Sequence, residues 1–426
     1  VSTRYTGVTV VGAGLSGLNA ACVLRDAGLE VSLSDAAARA GGRCRSYRDP
    51  ALDMVIDNGN HLVLAGNPAV ADFRALVGAD TPLAGDRHAD FPFVDLNDDT
   101  RWTLRINDGR FPWWVFVPSR RVPGTLPSDY LPLARLLKGR SHQTITDLIR
   151  AGGRLWDRML NPVLLSVLNT PLDQASARLT ANVLAETLAA GGRASAPRVA
   201  VPNLGAAFID PAVDWLAARG VPLATGRRLR AIRFEGQAVT ALEWADGVEE
   251  IAPTRAVVLA VPAWVAGDLV PDLVVPDDHR SILNLHFAVA PPAGAPDLLG
   301  VVGATSEWIF THPDRISVTV SWADRLMDTP REALASSVWA EVCAALRLGD
   351  APLPPWQVVK EKRATFAATP QQDARRPATA TRWRNLFLAG DWVQNGLPAT
   401  IEGALRNGDA AAQLVLGRPL RYRPKG

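Results

Sequence analysis

Cysteine is nearly missing from this chain. Its 426 residues hold three, Cys22, Cys44 and Cys343, an odd number at unrelated spacings with no CxxC pair. That excludes a disulfide framework and a cysteine-based zinc site, and no metal is expected; the thiols read as reduced groups in a cytosolic protein. Net charge is almost missing too. Against 45 basic residues stand 43 acidic ones, and the resulting +2 gives no electrostatic case for a nucleic-acid partner. No basic-then-apolar segment precedes the first strand, so no signal peptide is expected. The longest greasy stretch, 256–275, is broken by Pro262, Gly267, Asp268, Pro271 and Asp272, which excludes a transmembrane helix there. Internal repeats and low-complexity tracts are absent as well. What remains is a chain long enough for two or more lobes, with thirteen tryptophans.

The informative features lie at the two ends. An apolar strand at 8–11 runs into Gly12-Ala13-Gly14-Leu15-Ser16-Gly17 and then an amphipathic helix over 15–27. In this G-x-G-x-x-G pattern Gly12 permits the tight turn, Gly14 lets backbone approach a pyrophosphate, and Gly17 lets the helix lie close on the strand. The helix N-terminus offers free N–H groups and a positive dipole end to phosphates. A second strand, 30–33, ends at Asp35, about twenty residues on, where a carboxylate suits ribose hydroxyls. Gly41-Gly42-Arg43 follows, two glycines for close passage and an arginine for charge-assisted bonds to phosphate. Near the other end Gly390-Asp391 closes an apolar strand, and a helix begins near Thr400. A carboxylate there suits ribityl hydroxyls, and the helix N-terminus suits the flavin edge where negative charge collects on reduction. Together these features imply FAD. A second G-x-G-x-x-G is absent, so the electrons come from a donor other than a tightly docked nicotinamide.

Between the ends, residues 1–75 read as a βαβ unit. Residues 91–117 read as short strands with turns at 97–99 and 107–109, and 131–190 as helical. Residues 228–244 form a hairpin around Glu235-Gly236, 256–261 a buried strand and 283–322 a strand-rich block. A helix is expected over 331–346, a strand over 358–366 and a helix to 416. The expected fold class is α/β: a Rossmann-type FAD domain from 1–75, 200–265 and 367–426, with a discontinuous α+β substrate domain from 76–199 and 266–366.

The order G-A-G-L-S-G, G-G-R, Asp57-Asn58-Gly59-Asn60-His61 and G-D-W…L-P-A-T-I-E-G-A resembles the flavin-containing amine oxidase superfamily. Three further stretches are similar to its squalene-associated FAD-dependent desaturases, the hydroxysqualene dehydroxylases. These are Asn107-Asp108-Gly109-Arg110-Phe111-Pro112-Trp113-Trp114, the 360–366 segment K-E-K-R-A-T-F and the 396–403 segment G-L-P-A-T-I-E-G. The similarity spans 8–416; Asp35 departs from it, since the superfamily more often has glutamate there. The resemblance implies that 12–17, Asp35, Gly42 and Arg43 surround the adenosine and diphosphate, with Leu229 at the adenine through its backbone. It places Gly59, Asn60 and His61 beside the flavin ring, and Gly390, Asp391, Thr400 and Ile401 at the ribityl chain and pyrimidine edge. The FAD is expected to be held non-covalently.

The implied reaction reduces an allylic alcohol of an isoprenoid. Hydroxide leaves poorly, so an acid must protonate it, and the allylic cation left behind needs aromatic faces around it. His61 is the first candidate acid, because imidazole titrates near neutrality. Asp57 is the second, and its closeness in sequence to Arg43 and Arg45 also makes it their expected ion-pair partner. Phe111, Trp113, Trp114, Trp308 and Phe310 are the candidate pocket aromatics, core packing being the competing role of each. An oxidative desaturase or amine oxidase, or a prenyl carrier that has lost its flavin, would share parts of this pattern. A peripheral contact with the inner face of the plasma membrane is expected from the oily substrate. Leu131, Leu133, Leu136 and Leu137 beside Arg135, Lys138 and Arg140 are read as one interfacial helix within 130–168.

Overall fold

Residues 5–422 are described by a computed structural model. The ends of the two terminal segments assigned above to the FAD domain, 1–4 and 423–426, lie outside the described residues. At the centre is a five-stranded parallel sheet in the order Leu223–Ala224, Glu30–Ser34, Gly7–Val11, Arg255–Leu259, Leu386–Leu388. Its inner strands, GVTVV and RAVVL, are apolar almost without alternation because both faces are covered. The helices Leu15–Asp26 and Ile401–Val415 pack against each other. Gly408 permits that approach, since a Cβ there would meet the Ser16 carbonyl oxygen at 2.3 Å. Ser16 Oγ donates to Ala404 O at 2.8 Å and Asn19 Nδ2 to Leu405 O at 2.7 Å, so the two ends of the chain are stitched together.

A second, seven-stranded sheet runs Trp356–Phe366, His279–Phe287, Arg315–Val320, Trp308–His312, Leu298–Val302, Ala89–Asp95, Thr100–Ile106. It is antiparallel except where Leu298–Val302 meets Ala89–Asp95. The period-2 alternation of a strand sets its two faces. Ile316, Val318 and Val320 join Val338 and Val342 of the helix Arg331–Leu346 in one buried cluster. Arg315, Ser317 and Thr319 take the opposite face, beside His286, Asn284, Trp308 and Phe310. The hairpin Leu229–Glu235/Ala238–Trp244 turns at Gly236 with φ +56°, where the sequence puts it.

The expected helical stretch 131–190 is not one run. It contains the four-residue helix Leu133–Leu136, a π-helical turn Trp156–Leu160 leading into Asn161–Leu168, and Ala177–Glu186. Gly152 and Gly153 at φ +103° and +90°, and Asn169 at +48°, separate them, because a helix cannot pass through left-handed residues. The interfacial helix read over 130–168 is corrected accordingly. Leu136 is fully buried and Leu133 packs on the core, leaving only Leu131 and Leu137 of the four exposed. Among the described residues, no helix is long and apolar enough to cross a membrane.

Candidate active site

Local chemistry dictates the fingerprint turn. Gly12 has φ +106°, and a Cβ there would lie 2.3 Å from the Ala260 carbonyl oxygen. A Cβ on Gly17 would lie 1.8 Å from Gly12 O. Both positions therefore require glycine. Gly14 differs: a Cβ would meet nothing within 4 Å, so its open side is where a ligand can come against backbone. Gly14 is also the N-cap of the helix Leu15–Asp26, whose first N–H groups carry no side-chain cap. The second glycine pair leans on this turn. Gly41 N–H donates to Ala13 O at 2.8 Å, and Gly41 and Gly42 both have positive φ.

Asp35 is held at the end of its strand by accepting from Ala13 N–H at 2.6 Å and Ala37 N–H at 2.7 Å. The segment before Leu229 docks beside it, with Gly226 N–H donating to Ala37 O and Arg227 N–H to Asp35 O, both at 2.9 Å. Leu229 then opens its strand, buried. At the far end Thr400 caps the helix Ile401–Val415 by accepting from Gly403 N–H at 3.0 Å. Asp391 and Arg43 form an ion pair at 2.6 Å, joining the Gly41-Gly42-Arg43 turn to the C-terminal strand. Two helix N-termini, an open glycine, a strand-end carboxylate and an Arg–Asp pair are tied to one another through Gly41, Arg43 and Ser16 as a candidate cradle. They fit a dinucleotide: donors for the phosphates, carboxylates for the sugar and ribityl hydroxyls.

The loop Asp57-Asn58-Gly59-Asn60-His61 bridges to the seven-stranded sheet. Asn60 N–H donates to Asn284 Oδ1 at 3.2 Å, Asn60 Nδ2 to Thr319 Oγ1 at 3.1 Å, and Asn58 Nδ2 to Glu361 Oε2 at 3.1 Å. His61 follows, half-buried. Burial first, then the Arg43 charge, push its imidazole down to about 4, so it is neutral at pH 7. The expectation of an imidazole titrating near neutrality is corrected on this point.

Asp57 is likewise not where the sequence suggested. It lies beneath the loop, buried, accepting from Ser46 Oγ at 2.5 Å and Leu204 N–H at 3.0 Å, with Arg315 at 3.6 Å. Arg43 turns instead to Asp391, and Arg45 Nη1 donates to Gly42 O at 2.8 Å. Nearness along the chain did not decide the pairing, because the Ser46–Asp49/Met54–Asp57 hairpin carries Asp57 onto the second sheet. Burial raises its carboxyl above the ordinary range.

Of the aromatics, Trp308 and Phe310 share a sheet face, Trp308 edge-on to Phe93 at 5.4 Å and donating to Ser166 Oγ at 2.5 Å. With buried Trp114 they belong to one apolar cluster that also holds Leu164 and Leu168. Trp113 and Phe111 stand apart at the surface, 43% and 70% exposed. They do not line that cluster.

Pattern reading missed the groups that hold the cradle in place. Arg376, with no side-chain exposure, donates to Asp373 Oδ1, Asn395 Oδ1 and the carbonyls of Asp391, Trp392, Val393 and Leu397. Glu402 accepts from Ala69 and Val70 N–H at the start of the helix Pro68–Val77 and pairs with Arg406, which also grips Glu186. The one signal was a charged residue inside an otherwise apolar motif, Ile401-Glu402-Gly403-Ala404. Glu307, next to Trp308, is buried and accepts from Ser321 N–H at 2.8 Å; burial lifts it to about 7.

No described group of His, Cys, Asp and Glu could hold a metal ion. Covalent flavin attachment through cysteine is disfavoured. Cys44 is the only cysteine beside the cradle, and burial pushes its thiol up to about 12, leaving no thiolate. Acid precipitation of the purified protein is therefore expected to leave the yellow chromophore in the supernatant; colour in the pellet would contradict this.

The family model for flavin containing amine oxidoreductases matches residues 15–416. A hydroxysqualene dehydroxylase from Rhodopseudomonas palustris is 48% identical over 410 residues, covering 96% of this chain and 98% of that protein. One from Zymomonas mobilis is 46% identical with the same coverage of both chains. Among solved structures, an oxidoreductase from Methanosarcina mazei aligns with TM-score 0.70 at 13% identity, over 96% of this chain and all of that one. A putrescine oxidase bound to putrescine aligns with TM-score 0.66 at 17% identity, over 97% and 99%.

Proposed function

Since the chain belongs to the flavin containing amine oxidoreductases, we propose that it is an FAD-dependent hydroxysqualene dehydroxylase, reducing an isoprenoid allylic alcohol to the hydrocarbon. The observation that carries this reading is near-half identity, over nearly the full length of both chains, to proteins bearing that name. Relatives named zeta-carotene desaturase are only 24% identical, which favours the reductive reaction over desaturation.

The balance is R–OH + H⁺ + H⁻ → R–H + H₂O. Reduced FAD, when bound, supplies the hydride. The chain's own residues do the rest. Residues 12–17, Asp35, Gly42 and Arg43 hold the adenosine diphosphate half; Gly390, Asp391, Thr400 and Ile401 hold the ribityl and pyrimidine half. Asn284, Thr319 and Glu361 fix the 57–61 loop, so that His61 faces the leaving hydroxyl and passes it a proton. Asp57, paired to Arg315, positions that loop from below. Trp114, Trp308 and Phe310 offer aromatic faces to the developing allylic cation and exclude water. This assigns the FAD lobe to 1–75, 200–265 and 367–426 and the substrate lobe to 76–199 and 266–366; the strand makeup of the two large sheets supports it. The reducing equivalents would come from a separate electron donor, not from a second nucleotide domain of this chain. The protein works in the cytoplasm and meets its bilayer-borne substrate at the inner membrane face.

Anaerobic mixing of the chemically reduced holoprotein with hydroxysqualene is expected to bleed off one squalene per flavin as the yellow absorbance returns. Recovery of unchanged alcohol, or of a more unsaturated product with oxidised enzyme, would overturn the proposal.

A further inference from the structure

Ten large apolar side chains are exposed among the described residues, and six of them fall between 111 and 137: Phe111, Trp113, Phe116, Leu126, Leu131 and Leu137. The other four, Val55, Val248, Val274 and Leu353, are scattered singly along the chain, as exposed apolar residues usually are. Ring contacts join parts of the cluster. Phe111 and Phe116 lie near-parallel at 6.5 Å, and Arg120 sits over Trp113 at 4.7 Å. Beneath them Trp114 packs edge-on against Tyr130 at 5.2 Å, and the Tyr130 hydroxyl accepts from Val122 N–H at 3.0 Å. That contact ties the 111–116 turn to the 126–131 turn.

These side chains are held outward. Pro112, Pro118, Pro123, Pro127 and Pro132 cut the segment into single turns. Asn107 Nδ2 donates to Gly109 O and Phe111 O at 2.9 and 3.0 Å, and Arg121 Nη1 to Val115 O at 2.8 Å. A patch braced this way is a built surface, and a cluster of exposed aromatic and leucine residues marks an interaction site.

Charge identifies the occupant. Residues 110–140 carry Arg110, Arg120, Arg121, Arg135, Lys138 and Arg140 against a single acid, Asp129, while the whole chain carries only +2. A second copy docking by two-fold symmetry would bring the same cations face to face, which disfavours self-association. An anionic bilayer takes both components at once, aromatic and leucine side chains into the headgroup region and arginines onto the phosphates. We propose that this face, residues 110–140, seats the protein on an anionic membrane surface. The proposal rests on the isoprenoid-substrate reading for its purpose. It places the substrate's source against the outside of the apolar cluster that holds Trp114, Trp308 and Phe310.

The test is flotation of the holoprotein with phosphatidylcholine vesicles, with and without phosphatidylglycerol. The wild type is expected to rise with the anionic vesicles at low salt and to be released at high salt. Phe116→Ser/Leu131→Ser should reduce binding on the order of tenfold or more. Arg135→Gln/Lys138→Gln/Arg140→Gln should weaken the anionic preference by about fivefold per charge, roughly a hundredfold together, with Arg110, Arg120 and Arg121 still in place. Unchanged flavin absorbance and thermal midpoint verify folding. Wild type left at the bottom of the gradient, or apolar variants that float like it, overturn the proposal. So does a change from dimer to monomer in sedimentation with unchanged flotation, which would make the face a self-interface. Turnover of detergent-dispersed hydroxysqualene separates the two readings: it should survive in the surface variants, and its absence in the wild type would sink the activity while leaving the docking surface standing.

Discussion

Arg376→Leu is expected to cost about 3–5 kcal/mol of folding stability and to strip the protein of FAD. The guanidinium is fully enclosed and bonds four carbonyls of the 391–397 loop, the Asn395 amide oxygen and Asp373. Leucine fills part of the volume but offers no donor, so several buried acceptors lose their partner together, each at about 1–3 kcal/mol if no water reaches it. The charge of Asp373 is still met by Arg178 at 2.5 Å, which keeps the loss below that of an isolated buried carboxylate. Because Asp391 sits on the same loop, its pairing with Arg43 should loosen as well. Against a typical total of about 5–15 kcal/mol, the variant would be marginal at 37 °C. Urea unfolding with flavin fluorescence as a parallel probe checks this. Arg382→Leu, at an exposed pair with Asp272, is the control and should change little. If the two variants unfold at similar urea concentrations, the hub is not holding the loop.

The contrast between Glu186 and Gly12 shows which parts of this protein carry a local signature in the sequence. The turn at 12–17 is announced by its glycine spacing and the positive φ of Gly12, although part of its close packing comes from Ala260, far along the chain. The Thr400 cap and the turn at Gly236 are legible for the same reason. Glu186 acts on Arg406, and Asn284 and Thr319 act on Asn60, across hundreds of residues, while Arg376 gathers a loop that begins 15 residues further on; no periodicity announces them. Asp57 makes the point from the other side. Proximity in sequence suggested Arg43 and Arg45, yet strand pairing carried the carboxylate to Arg315, 258 positions away along the chain. The leucines of 131–137 also misled, because helical spacing does not reveal where glycines and prolines will cut the run. What the sequence did carry of that region was its composition, apolar and cationic together, and the structure puts that composition at the surface.

His61→Gln is expected to slow the single-turnover dehydroxylation by about 10²–10⁴-fold near pH 6 while leaving flavin absorbance intact. Glutamine can still hydrogen-bond a hydroxyl, but it cannot carry a proton to it, so the variant separates positioning from proton transfer. The pH dependence makes the test sharper. With its imidazole pushed down to about 4, His61 is protonated in only a small fraction of molecules near neutrality. The wild-type rate should therefore rise about tenfold for each unit that pH falls between 8 and 6, and the glutamine variant should lose that slope. The window has a floor set by the fold. His286 and His312 are buried and pushed down to about 3, so the unfolded chain, with imidazoles near 6.5, binds protons first. Their contribution to stability is full above about 6.5 and lost as pH falls below it, at about 1.4 kcal/mol per unit for each ring. Glu307 works against this slope: lifted to about 7, it makes the fold take up a proton between 7 and its unfolded value near 4.5. Rates measured above pH 6 therefore report chemistry before acid unfolding intrudes. A glutamine variant with near-wild-type rate and an unchanged slope would remove His61 as the donor and move the proton to Glu307 or Asp57, whose glutamine and asparagine variants would then be the ones to flatten the profile.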